Sequence, residues 1–122
     1  MLILDANMIL RYLLNDNLEM ADQAEKYIEQ HEAHVTVEVI AEVVYVLGRV
    51  YKVKRQEITQ ILSAFLDSVT SRDMAIIQEA VATYGDQKLD FVDCVMYAYA
   101  KINHAHIATF DKKLNKLLDT LQ

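Results

Sequence analysis

Short apolar runs alternate with longer segments of helical periodicity along this chain, and this alternation limits the folds that it can adopt. Apolar runs too short for helices predict four strands, at 2–4, 34–37, 68–70 and 106–108. Apolar residues spaced three or four apart predict helices within 21–28, 39–48, 58–66, 76–85, 91–102 and 114–121. Short strands separated by helices favour a parallel sheet covered on both faces. We therefore expect an α/β fold: a three-layer α/β/α sandwich with a short, mainly parallel sheet.

Length and composition indicate the class of protein. A chain of 122 residues buries roughly two thirds of its unfolded surface, so we expect one domain over 1–122. The single cysteine, Cys94, lies in an apolar stretch, which is typical of a small buried side chain in a reducing compartment. No stretch is apolar for the roughly 18 residues of a membrane span, and the N-terminus lacks a secretory signal. We expect a cytoplasmic protein that does not contact a membrane.

Acidic side chains follow the predicted strands. Asp5 comes directly after the first strand, Glu42 lies about a turn and a half of helix after the second, and Asp111 follows the last. Asp93 falls in the first turn of a predicted helix. Ligands of parallel α/β sheets bind beyond the carboxyl ends of the strands, and Mg²⁺ and Mn²⁺ prefer oxygen ligands. The sequence therefore predicts a divalent metal site built from these four carboxylates.

Each acid also has a purely structural interpretation. Asp5 is equally suited to start a turn, and Asp90 and Asp111 are suited to cap helices. Glu38 stands one helical turn before Glu42 on the same face, so that spacing alone does not choose between them. Only the joint placement of the acids favours the metal site.

The segments that carry these acids resemble the acidic motifs of the PIN-domain ribonucleases, and more narrowly those of the small VapC-type toxins of toxin-antitoxin pairs. They are LDANMILRYLL at 4–14, TVEVIAEVVYVL at 36–47, LDFVDCVMYAYA at 89–100 and ATFDKKL at 108–114. The motifs occur in the same order and at fitting separations over nearly the whole chain, which makes the set specific although each motif alone is weak.

The resemblance implies a role for each acid. It makes four residues catalytic, Asp5, Glu42, Asp93 and Asp111, and so prefers Glu42 over Glu38. Three of them, Asp5, Asp93 and Asp111, would hold Mg²⁺ or Mn²⁺. The chain departs from the family pattern at Ala6, where a hydroxyl residue is common.

The same resemblance implies supporting residues and an activity. Asn7 and Thr109 match polar neighbours of the metal, and Arg11 matches a basic residue after the first motif. The implied activity is a metal-dependent endoribonuclease that hydrolyses RNA phosphodiester bonds as a toxin. A homodimer and a cognate antitoxin are the implied partners. We expect the antitoxin to contact an apolar face formed by Tyr12, Leu13, Val44 and Leu47.

The basic residues indicate where RNA would bind. A net charge of -6 argues against a general nucleic-acid coat, but does not exclude a nuclease whose acids hold a metal. Lys112 and Lys113 follow Asp111 directly and are the predicted RNA contacts. The segment 49–55 carries four further basic residues, and either phosphate contact or an ordinary solvated turn explains them.

Two functions of another class remain as alternatives. One is a PIN-like fold that has lost catalysis and acts by binding protein. The other is a phosphoacceptor receiver module, which requires adjacent acids after the first strand and an aspartate at a mid-chain strand end. This chain has one acid after its first strand and lysines at 52 and 54, where that aspartate is expected.

Overall fold

The computed structural model describes residues 1–122 and contains two short strands and seven helices. In chain order they are β1 (Leu2–Ile3), α1 (Ala6–Leu14), α2 (Leu18–Gln30), β2 (Ala33–His34), α3 (Val37–Arg49), α4 (Arg55–Leu66), α5 (Met74–Asp86), α6 (Phe91–Asn103) and α7 (Lys112–Asp119). The fold is therefore α/β, as predicted, with helices in the majority. Helix α1 has no counterpart in the prediction, although it is amphipathic: Ala6, Ile9 and Leu10 are buried, and Asn7 is exposed.

The sheet is small and parallel. Strands β1 and β2 pair in parallel, with Ile3 opposite His34. On the other side of β2, Thr70 donates to the Ala33 carbonyl and accepts from the Val35 N–H, both at 2.9 Å. The third predicted strand is thus reduced to this single bridging residue. Since the pairs are parallel, β1 and β2 end at the same edge of the sheet.

The prediction of a strand at 106–108 is wrong. Residues 106–110 form no backbone–backbone hydrogen bond, and β1 pairs only with β2. A strand exists only where its N–H and C=O groups find partners in a neighbouring strand. Ile107 packs against the core, but Phe110 is fully exposed. One anchored side chain is not enough to hold this segment against the free edge of β1.

Helix α3 forms despite its β-branched residues. The Thr36 side chain accepts a hydrogen bond from the Val39 N–H at 3.2 Å and so caps the first turn. Its apolar positions follow the helical period and are buried: Ile40, Val43, Val44 and Leu47. Burial of this face outweighs the weak strand preference of valine and isoleucine.

One apolar cluster of 27 buried residues forms the core. Helix α5 packs between α4 and α6, and α1 packs against α2 and α3. This packing sets α6, which carries Asp93, beside α3 and α7. The core therefore fixes the relative positions of three of the segments that bear the predicted acids.

Gly85 allows α4 and α5 to pack closely. The sequence predicts a helix stop at Gly85, and α5 ends one residue later, at Asp86. A Cβ at position 85 would lie 2.7 Å from Oγ1 of Thr59 on α4. The Thr59 hydroxyl donates to the Val81 carbonyl at 2.9 Å, so it is not free to move away. Glycine is needed here for space rather than for a helix stop.

Gly85→Ala should therefore destabilise the protein by about 1 kcal/mol, because a steric cost of roughly 1–3 kcal/mol exceeds the gain in helix propensity. Gly48→Ala is the matched control. A Cβ at position 48 meets its nearest atoms at 3.7 and 3.8 Å, which is ordinary contact, so this change should stabilise the protein by about 0.5–1 kcal/mol. Urea denaturation measures both, and equal effects of the two changes would contradict the packing role of Gly85.

Candidate active site

Asp5 caps helix α1. It follows β1 at the carboxyl edge of the sheet, and its Oδ1 accepts a hydrogen bond from the Met8 N–H at 2.8 Å. The residue is exposed. The sequence left open that Asp5 starts a turn; in the structure it starts a helix instead, and this role engages only one of its two carboxylate oxygens.

Asp111 caps helix α7 in the same way. Its Oδ1 accepts from the Leu114 N–H at 2.8 Å, which confirms the capping interpretation. The Thr109 hydroxyl accepts from the Asp111 N–H at 3.0 Å, and the Asn115 side chain donates to the Thr109 carbonyl at 2.9 Å. Thr109 therefore orients the backbone at Asp111, although the segment before it belongs to no strand.

Asp93 lies in the first turn of α6 and is half-buried. Burial raises the pKa of its carboxyl, and the negative charges of Asp111 and then Asp90 raise it further. Asp90 occupies the N-cap position of α6 but makes no side-chain capping hydrogen bond. The fold thus brings three acids from two distant segments close enough to repel one another.

The four predicted acids do not form a ready metal cage. No three side chains among the histidines, cysteines, aspartates and glutamates are grouped closely enough to hold a metal ion. Glu42 and Glu38 lie exposed on α3, and neither Glu42 nor Asp5 is among the charges that raise the pKa of Asp93. With 106–110 outside the sheet, no strand pairing draws Asp111 toward Asp5.

A cleft of about 690 Å³ lies beside Asp93, between α3, the start of α4 and the start of α6. Twelve residues line it: Ala41, Val44, Tyr45, Gly48, Arg49, Val53, Arg55, Tyr84, Asp90, Phe91, Val92 and Asp93. Its walls are mainly apolar, with two arginines and two aspartates among the polar members. The cleft gives a ligand access to Asp93 from the side of α3.

Arg55 holds the loop that leads into α6. Its Nη1 donates to the carbonyls of Tyr84 and Gln87 at 2.8 and 2.9 Å, and its Nη2 donates to that of Leu89 at 2.6 Å. The guanidinium also lies 3.9 Å from the centre of the Tyr84 ring. Arg55 is therefore committed to the backbone directly before Asp90, and phosphate contact does not explain it.

The sequence contained a signal for this role. Arg55 is the first residue of α4, where a positive charge opposes the helix dipole. A cation at that position has no local reason to be there, so a distant partner is indicated. Sequence alone did not identify the partners, which lie 29 to 34 residues further along the chain.

The remaining predicted residues lie around this region. Arg11 pairs with Asp16 at 2.9 Å and donates to the Tyr51 hydroxyl at 3.2 Å. Asn7 is exposed in the first turn of α1. Lys112 and Lys113 are exposed in the first turn of α7.

Cys94 is buried beneath the first turn of α6. Burial raises the pKa of its thiol to about 12, despite an opposing effect of the Arg55 charge. The side chain therefore stays protonated and packs as a small apolar group, as the sequence predicts.

Comparison with known proteins identifies the family to which this arrangement belongs. The family model described as PIN domain matches residues 2–118, a span that contains all four predicted acids. The chain belongs to the PIN domain family. A relative of this PIN domain is the VapC ribonuclease of Aquifex aeolicus (strain VF5), which is 27% identical over 125 residues, 96% of this chain and 92% of the relative. No solved structure matches this PIN domain at a significant level. None of its helices combines the length and apolar character needed to cross a membrane.

Proposed function

We propose that this PIN domain is a metal-dependent endoribonuclease that hydrolyses RNA phosphodiester bonds as the toxin of a toxin-antitoxin pair. The observation that carries the proposal is the family match, which spans Asp5, Glu42, Asp93 and Asp111. A relative over nearly the whole chain bears the name VapC ribonuclease. The proposal treats residues 1–122 as one nuclease domain with a three-layer α/β/α arrangement.

The acids fit a divalent cation by their chemistry. The charge of Asp111 disfavours the ionised Asp93 carboxyl, and a cation between such carboxylates removes that repulsion. Carboxylate oxygens are the ligands that Mg²⁺ and Mn²⁺ prefer. We propose that Asp5, Asp93 and Asp111 hold the ion, directly or through water. Asp5 and Asp111 each have a second carboxylate oxygen not engaged in capping.

The other proposed roles in the reaction belong to side chains of the protein. When bound, a divalent ion polarises a phosphoryl oxygen and lowers the pKa of water. Glu42 either helps to hold the ion or orients the attacking water as a hydrogen-bond acceptor. Thr109 keeps Asp111 in place through its hydrogen bond to the Asp111 N–H. Asn7 and Arg11 support the first motif.

Partners follow from the same proposal. RNA would contact Lys112 and Lys113, a cognate antitoxin would regulate the enzyme, and two copies would form a dimer in the cytoplasm. The apolar face expected to meet the antitoxin needs correction, because Val44 and Leu47 are only 2% and 1% exposed. Only Tyr12 and Leu13 of that set are partly accessible.

The test is an RNA cleavage assay on the purified protein. With Mg²⁺ or Mn²⁺ the protein should cleave a single-stranded RNA, and EDTA should stop cleavage. Asp5→Asn should lower the rate by about two orders of magnitude, because it removes one proposed metal ligand. Asp22→Asn, an exposed change on α2, is the matched control and should leave the rate unchanged. Cleavage that survives both EDTA and Asp5→Asn would refute the proposal.

A second function has one observation in its favour. Because no three acids are grouped to hold a metal, a PIN-like module that has lost catalysis and acts by protein binding would also suit this fold. The same assay decides between them. Absence of cleavage with either metal favours the binding module, whereas metal-dependent cleavage rejects it.

A further inference from the structure

Three lysines line one concave surface, and only one of them, Lys113, has a predicted role. Lys88 lies in the loop between α5 and α6, and Lys113 and Lys116 lie on α7. With neighbouring residues they border a depression of about 550 Å³, here named the lysine cleft. The other residues that line it are Asp86, Gln87, Leu89, Leu117 and Thr120.

The charge of the lysine cleft differs from that of the whole chain. The chain carries a net charge of -6, yet three cations and one carboxylate, Asp86, line this depression. The ion pairs of the structure join Arg11 to Asp16 and Lys101 to Glu79, so none neutralises these lysines. All three are exposed. Like charges held near one another are unfavourable unless an anion lies between them.

Local stability does not account for Lys113 on α7. Lys113 lies in the first turn, where the helix dipole disfavours a positive charge. Lys116 lies in the last turn, where the dipole favours a cation, and it stands three residues after Lys113 on the same helix face. The acid at this end of α7 is the N-cap Asp111, and the first turn itself carries none.

The lysine cleft adjoins the segments that carry the acids. Lys113 is the second residue after Asp111, and Leu89 directly precedes Asp90 at the start of α6. Its two walls are therefore continuous with the two segments that bring Asp93 and Asp111 together.

We propose that the lysine cleft binds backbone phosphates of single-stranded RNA beside the cleavage site. The inference rests on the proposed function and adds Lys88 and Lys116 to the residues that contact substrate. Charge complementarity selects a polyanion, and the open shape of the depression suits a flexible strand rather than a small anion. The lysines act as point charges, so they fix the path of the strand without reading its bases.

The test measures RNA binding without cleavage. A fluorescent single-stranded RNA of about 12 nucleotides is titrated with protein in EDTA over a series of salt concentrations. The variant Lys88→Gln with Lys116→Gln removes one charge from each wall. It should weaken binding about tenfold at low salt and reduce the slope of log K against log salt by about 1.4, because each phosphate contact on a single strand contributes about 0.7.

The matched control is Lys26→Gln with Arg72→Gln, which removes the same charge from exposed sites outside the cleft. This control should change the slope of log K against log salt little. An equal loss of RNA binding in both double variants would show an effect of net charge alone and would overturn the proposal. The competitor is polyglutamate of equal length. The proposal also fails if polyglutamate binds the wild type as tightly as RNA does and if the cleft variant weakens the binding of both equally.

Failure of this inference is distinguishable from failure of the proposed function. If the wild type cleaves RNA with metal but the cleft variant binds RNA as tightly as the wild type does, only the lysine-cleft proposal is overturned. Loss of RNA binding in the cleft variant, with no cleavage by the wild type under either metal, overturns the nuclease and supports the cleft. Circular dichroism should show that both double variants are folded, since all four side chains are exposed.

Discussion

Asp93→Asn should make the metal-free protein more stable while lowering RNA cleavage by about two orders of magnitude or more. Burial and the charges of Asp111 and Asp90 disfavour the ionised Asp93 carboxyl, and asparagine has no charge to desolvate or repel. The expected gain in melting temperature is about 2 °C, kept small because the side chain is only half-buried. A residue that costs stability but supports activity is expected at a functional site.

The pH dependence of this effect has a definite sign. The pKa of Asp93 in the folded protein lies above its ordinary value of 3.8. The folded state therefore binds more protons than the unfolded state between those two values, and stability falls as the pH rises through that window. The gain in stability from Asp93→Asn should be largest above the raised pKa of Asp93 and should disappear as the pH falls below 3.8.

Bound metal should make the wild type more stable than Asp93→Asn, the reverse of the order without metal. Mg²⁺ should raise the melting temperature of the wild type, because the ion binds only the folded state, and should raise that of Asp93→Asn much less. Thermal denaturation with Mg²⁺ or EDTA measures both effects, and Asp22→Asn serves as the control. If the metal-free wild type melts no lower than Asp93→Asn, the acids do not repel one another as described.

Arg55→Met should destabilise the protein by about 2–3 kcal/mol. The change leaves the carbonyls of Tyr84, Gln87 and Leu89 without their donor and removes the contact with the Tyr84 ring. Arg55→Lys should recover less than half of the loss, because an ammonium lacks the planar fork that spans three acceptors. Cleavage per folded molecule should also fall, since the released loop leads directly to Asp90 and Asp93.

Arg49→Met is the matched control for Arg55. Arg49 lines the same cleft but is exposed, and it only faces the Tyr45 ring at 5.8 Å. Its loss should therefore cost less than about 1 kcal/mol. Urea denaturation compares the three variants. An Arg55→Met protein as stable as Arg49→Met would mean that the carbonyl contacts contribute little.

Much of the fold could be predicted because the patterns involved are local. Helical spacing of apolar residues correctly predicts six of the seven helices. The capping role of Asp111 also follows from the residue type at the start of a helix, and it is present. The strand at 106–108 could not be predicted reliably, because a strand depends on a distant partner rather than on its own residues.

The sequence by itself determined the α/β class and six of the seven helices, and it pointed to four acids, since apolar spacing and short motifs are properties of neighbouring residues. Tertiary structure alone decided that Arg55 holds the loop before α6, that Gly85 provides space for Thr59, and that Asp93 lies near Asp111. The physical reason is that each of these contacts joins residues 18 or more positions apart in the chain. Such contacts are selected by the packing of the whole core, in which many pairings compete, and no local pattern encodes the outcome.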